Sequence, residues 1–263
     1  MDDPKKLPVF DTVGKAISYS LKNVALMMRV SWLWVLIAVG ATGALMLAAA
    51  GSDGGMAMWL GVGVVTIVYI AALYSIAVAW HRGLLLGETY GWFHLNFGYR
   101  ELSYLGYALA VALISGSGIL LGVVASFVGA ALGVSQGAGA GVVAILALVG
   151  VLAMIMMISR LQLVLPGSAV GDRRISLARS FSLTTGNTWR ITGGFLLIAL
   201  LNGVVNLLSS GLDAGAGTAS TATIVLLAVV VLVASIVVGF ITLSYMSFCY
   251  WFFVPPPEEG DLA

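Results

Sequence analysis

The chain is poor in everything that catalysis, metal binding and cross-linking require: one cysteine, two histidines and 9% charged residues across 263 positions. Cys249 has no partner within the chain, so a disulfide framework and a thiolate metal site are both excluded. Neither His81 nor His94 has a second ligand at metal-binding spacing, so neither a metal nor another cofactor is expected. There is no nucleophile elbow, no Ser-His-acid arrangement and no P-loop lysine, which leaves no catalytic residue to name and points away from an enzyme. No apolar stretch carries an Asp or Glu near its middle, which removes the usual intramembrane relay of a coupled carrier. A formal charge of +1 gives no reason to expect a nucleic-acid partner.

What the chain has instead is apolar length. Sixty per cent of its residues are hydrophobic and its mean hydropathy is +1.07, more than one soluble core of this size needs. A span needs about 20 mostly apolar residues to cross a roughly 30 Å hydrocarbon layer. Six stretches qualify: residues 30–50, 56–80, 102–132, 142–165, 191–208 and 222–253. Trp59 and Trp80 are spaced by about 32 Å of helix, as anchors at two membrane surfaces would be. Met1 to Lys6 is charged and the first apolar run is too long and too late for a signal core, so the first span is expected to be retained. All twelve Lys and Arg fall in segments that alternate with three loops carrying none, around Gly51 to Gly55, Gly133 to Gly141 and Ser209 to Ser220. That bias places both termini in the cytoplasm of a cell whose inner membrane holds the protein. The expected fold is all-α: a single polytopic membrane domain over residues 1–254, followed by an acidic cytoplasmic tail, 255–263.

Residues 9–28 are patterned differently from a span. Phe10, Val13, Ile17, Leu21, Val24 and Met28 recur at helical steps, with Asp11, Lys15, Ser18 and Lys22 opposite. This predicts an amphipathic helix in the headgroup plane, able to meet anionic lipid, or one that packs under the bundle. Similar arrangements before residues 102 and 191 suggest three repeats, each an interfacial helix followed by a two-span hairpin. Within the third span, Gly118, Gly122, Ser126, Gly129 and Gly133 form a small-residue stripe that lets helices approach closely, within the chain or against a partner. Asn187, Asn202 and Asn206 are candidates for hydrogen bonds between helices. Arg82, Arg160 and Arg190 lie at inner helix ends. Each can snorkel, pair with Glu88 or Glu101, or join the others in a pocket for a lipid phosphate, which the planar guanidinium fork suits.

From Ser159-Arg160 through Pro166, and on to Ser180 and Thr184-Thr185-Gly186-Asn187-Thr188-Trp189-Arg190, the chain resembles the glycerophosphodiester phosphodiesterase-type membrane domain and its YciC-like bacterial relatives. The resemblance implies a helical inner-membrane module. The soluble phosphodiesterase domain fused to some relatives, with its His and metal-binding carboxylates, has no counterpart here. Together these readings favour a non-enzymatic structural or accessory component that organises lipid or a larger membrane complex, with a membrane-protein partner or a second copy as companions. The alternative is a carrier or flippase for a lipid or small amphiphile.

Overall fold

The computed structural model describes residues 5–51, 55–131, 138–215 and 220–254, all as helix and connecting turns with no strand among them. The helices are α1 (Val9–Lys22), α2 (Val24–Ala50), α3 (Met56–Leu86), α4 (Tyr99–Ala131), α5 (Ala138–Leu161), α6 (Val164–Val170), α7 (Leu177–Leu183), α8 (Thr188–Gly215) and α9 (Thr221–Phe253). Six are long and apolar enough to cross a membrane: α2, α3, α4, α5 continued by α6, α8 and α9. The protein is therefore an all-α polytopic membrane protein.

The six form three hairpins, α2–α3, α4–α5 and α8–α9, each packed along its own pair. Only two of the three carry the expected leading helix. Residues 87–98 are irregular, because Gly87 takes the left-handed conformation (φ 69°) that ends α3 and the chain stays non-helical until Tyr99.

The leading helix α1 is also shorter than the periodicity predicts. At Asn23 the backbone leaves the helix and the side-chain amide donates to the Tyr19 carbonyl at 2.9 Å, closing α1 at Lys22. Val24 to Met28 therefore open the first span. The buried face of α1 is Thr12, Val13, Ala16 and Ser20, set against α9 and α8, while Phe10 and Leu21 stay exposed. Packing under the bundle thus accounts for one face and contact with the surroundings for the other.

A second break separates α5 from α6. Proline has no N–H and its ring crowds the carbonyl four residues earlier, so Pro166 forbids continuous helix at Gln162. The chain turns at Gln162 and Leu163 and restarts, which leaves Pro166 in the first turn of α6 where its missing donor costs nothing. Pro166 accordingly starts a short helix and does not end the span.

Burial is concentrated at one end. It covers Met27 to Ala38 of α2, Ala72 to Leu84 of α3 and Phe240 to Tyr250 of α9, with Leu163, Val164, Ile191 and Tyr245 at the centre. This is the end at which α2, α4 and α8 begin, and the Lys and Arg of the described residues collect there. Toward the other end, side chains such as Leu47, Trp59, Leu207 and Leu226 face outward. Trp59 is 72% exposed and Trp80 0%, so only the first of the two expected anchors can meet a membrane surface. Trp80 is a core residue.

Candidate functional site

The basic end is built from side chains that fasten one element to another. Leu7 donates its N–H to Asn187 Oδ1 at 2.8 Å, and Asn187 Nδ2 donates to the Lys5 carbonyl at 3.0 Å. A single amide thereby straps the N-terminal segment across the turn between α7 and α8. Arg190 adds a bond from Nη1 to the Leu7 carbonyl at 3.1 Å.

Arg160 does the same for α5 and α7. Its Nη2 donates to the Phe181 carbonyl and to Thr185 Oγ1, both at 2.8 Å, and its guanidinium lies 3.3 Å from the centre of the Phe181 ring. In return the Arg160 carbonyl, unsatisfied at the end of α5, accepts from Ser180 Oγ at 2.7 Å and from Thr184 Oγ1 at 3.3 Å. Arg82 is bidentate on Glu88, with Nε 2.8 Å from Oε2 and Nη2 on Oε1, while Nη1 donates to the Ala169 carbonyl of α6 at 3.0 Å.

Each of the three arginines is therefore engaged with a different part of the protein, and none bonds to a group shared with another. The pairing of Glu88 with Arg82 is the arrangement the structure contains. Glu101 instead accepts from the Gly98 N–H at 2.8 Å and caps α4.

A second set of polar groups lies deeper. His81 is fully buried, with Nδ1 2.7 Å from Ser247 Oγ and Nε2 3.1 Å from the Tyr104 hydroxyl. Trp80 Nε1 donates to Ser244 Oγ at 2.9 Å, and that oxygen meets Ser20 Oγ at 3.0 Å. These contacts tie α3 to α1, α4 and α9. Both His81 nitrogens are occupied by hydroxyls, so the ring is a structural crosslink.

Beside them a cavity of about 160 Å³ opens between the end of α3 and residues 88–101, lined by Arg82, Glu88, Tyr90, His94, Arg100 and Glu101 among others. The Arg82 hydrogen bond outweighs burial and holds the Glu88 carboxyl below its ordinary range, while burial and the bond to Glu88 push the Tyr90 phenol up. Burial lowers His94, whose Nε2 is sealed off without a partner. Two cations and two carboxylates balance in the wall, so the cavity exerts no net pull on an anion. Among the described residues no three His, Cys, Asp or Glu side chains could hold a metal.

Gly118 and Gly122 of the small-residue stripe on α4 face α5. A Cβ on Gly118 would stand 2.5 Å from the Gly150 carbonyl oxygen, and one on Gly122 would stand 3.1 Å from Ala147 Cα. Ser126 turns its hydroxyl back to the Gly122 carbonyl, Gly129 is buried, and Gly133 lies outside the described residues. Asn202 and Asn206 are exposed on α8, and Asn206 Nδ2 donates to the Asn202 carbonyl of its own helix, so the bond between helices expected of them is not formed. The expected acidic tail, 255–263, also lies outside the described residues.

Sequence reasoning passed over Arg29. With the first span placed at residue 30 it looks like a flanking charge, but the break at Asn23 sets it in the second turn of α2, over the Trp92 ring. No protein-family model, curated protein or solved structure matches the chain.

Proposed function

We propose that this chain is a non-enzymatic structural or accessory component of a bacterial inner membrane, with its basic end and both termini cytoplasmic. In that role it would organise lipid or a larger membrane complex, as a membrane module similar to the glycerophosphodiester phosphodiesterase-type and YciC-like domains. The observation that carries the reading is that the polar side chains expected to line a path at the basic end are bonded within the protein. Arg82, Arg160, Arg190, Asn187 and His81 all bond to other elements of the chain. A carrier needs polar groups left free along a path, and the inner arginines that motivated a carrier are committed elsewhere.

The outer halves of the helices offer apolar surface that suits lipid or a partner's helices. Gentle purification from native membranes, followed by mass spectrometry of everything retained, tests the proposal. A stoichiometric membrane-protein partner or second copy is the expected result. A bare monomer that accelerates lipid exchange in reconstituted vesicles would refute it in favour of the carrier.

A further inference from the structure

Arg29 differs from the other arginines of the spans. Arg82, Arg160 and Arg190 donate to acceptors within the chain, and Arg100 is exposed at the start of α4. Arg29 is half-buried with no counter-anion and no hydrogen-bond acceptor among the described residues, and its Nε is sealed from solvent. One face of the guanidinium is covered by Trp92, whose ring centre lies 5.3 Å from the guanidinium carbon.

The cover is fixed in place. Trp32, one turn along α2 on the same face, donates Nε1 to the Trp92 carbonyl at 2.5 Å and packs edge-on against Phe93 at 5.9 Å. The rim is apolar and open: Phe93 is 81% exposed, Trp92 56%, and Leu36, the next residue on that face, 61%. A cation held at the end of a span with no acceptor among the described residues has its terminal amino groups open to an anion. An apolar track running from it along the helix calls for a hydrocarbon chain attached to that anion.

We propose that Arg29, Trp32, Trp92 and Phe93 form a docking site for one phospholipid. The Nη edge of Arg29 donates to the headgroup phosphate, Trp92 covers the guanidinium, and the first methylenes of an acyl chain lie on Phe93 and continue toward Leu36. The site requires the chain to be embedded in a membrane but not to have a protein partner. Loss of this site would leave the accessory role standing, and absence of a partner would leave the site standing.

The test uses the full chain in mild detergent, delipidated and titrated with phosphatidylglycerol while bound lipids are counted by native mass spectrometry. Arg29→Gln is expected to weaken the first binding event about ten-fold, the size of one charge-assisted hydrogen bond. Arg179→Gln, at an exposed position on α7, is expected to leave it unchanged. Millimolar inorganic phosphate is expected not to compete, and competition would overturn the lipid in favour of a general anion site. Where Arg29→Gln does not fold, Trp92→Leu keeps the charge and strips its cover, with an expected loss of about three-fold. Unaltered first-lipid binding in the variant that folds, or an equal loss in Arg179→Gln, would overturn the assignment.

Discussion

Replacing Gly118 by Ala is expected to destabilise the protein, while the same change two residues earlier, at Gly116, stabilises it or leaves it unchanged. The contrast rests on geometry alone. A Cβ at position 118 would stand 2.5 Å from the Gly150 oxygen and 2.9 Å from the Met154 nitrogen, whereas one at 116 meets nothing within 4 Å. Ordinary contact begins near 3.4 Å, so α4 and α5 would have to part by about 0.9 Å, and both obstructing atoms are backbone with no rotamer to give way.

A gap of that size forfeits roughly a quarter to a half of each dispersion contact it opens. Overpacking of this kind costs about 1–3 kcal/mol. At position 116 only the helix preference of Ala over Gly remains, up to about 1 kcal/mol in the other direction. The two variants should therefore differ by about 1–4 kcal/mol in reversible unfolding from mixed micelles. Equal midpoints, or a stable Gly118→Ala protein, would refute the close α4–α5 crossing.

Asn187→Ala removes the acceptor for the Leu7 N–H and the donor to the Lys5 carbonyl, so hydrogen exchange at Leu7 should accelerate while the amides of α9 keep their protection; an unchanged rate at Leu7 would deny the strap. His81→Leu leaves the Tyr104 hydroxyl buried without its partner at a cost of about 1–3 kcal/mol, and adding Tyr104→Phe should recover part of that loss, a coupling readable in a double-mutant cycle. Glu88 makes a prediction about pH. Its carboxyl is held below the ordinary range in the folded protein, so its contribution is present above the unfolded value of about 4.3 and is lost as the pH falls through the lower folded value. Glu88→Gln should remove that part of the acid sensitivity of the melting temperature, and the effect should be modest because the pair is partly exposed. An acid profile identical in the native protein and the variant would contradict it.

The number of spans and their pairing into hairpins were legible because lipid imposes a length and a composition on any helix that crosses it. Helix ends were less legible, since they depend on single residues acting through the backbone. Asn23 closes α1 by bonding Tyr19, which moves Arg29 into a span, and Pro166 breaks α5 four residues before itself. Trp80 looked like a surface anchor by spacing. Its inward position is met by Ser244 and Phe240 of α9, far along the chain, and by Tyr19 of α1.

The partners of the arginines were illegible for the same reason. Arg160, amid apolar neighbours in sequence, finds its acceptors at Phe181 and Thr185 because the α5–α6 break and the short helix α7 fold back across it. No local pattern contains that return. The stripe of Gly118 and Gly122 was readable because close approach requires small residues on one face. Its partner on α5, Gly150 with Ala147, became identifiable only once the hairpin register was known.

The distribution of these contacts divides the bundle by chemistry. At the basic end, directional bonds from Asn187, Arg160, Arg82, His81 and Trp80 link elements distant in sequence, and each would leave an unsatisfied polar group if it opened. Toward the other end the contacts are mostly apolar, as within the first hairpin, where Leu45 Cδ1 of α2 occupies the space in front of Gly61 of α3. Lipid tails can replace such contacts at little cost, because within a membrane no hydrophobic drive favours one apolar neighbour over another. The basic end is thus fixed by hydrogen bonding, while toward the opposite ends no polar contact joins one hairpin to another among the described residues. A protein built in this way concentrates its directional bonds at the basic end and leaves the opposite halves of its helices to apolar contacts.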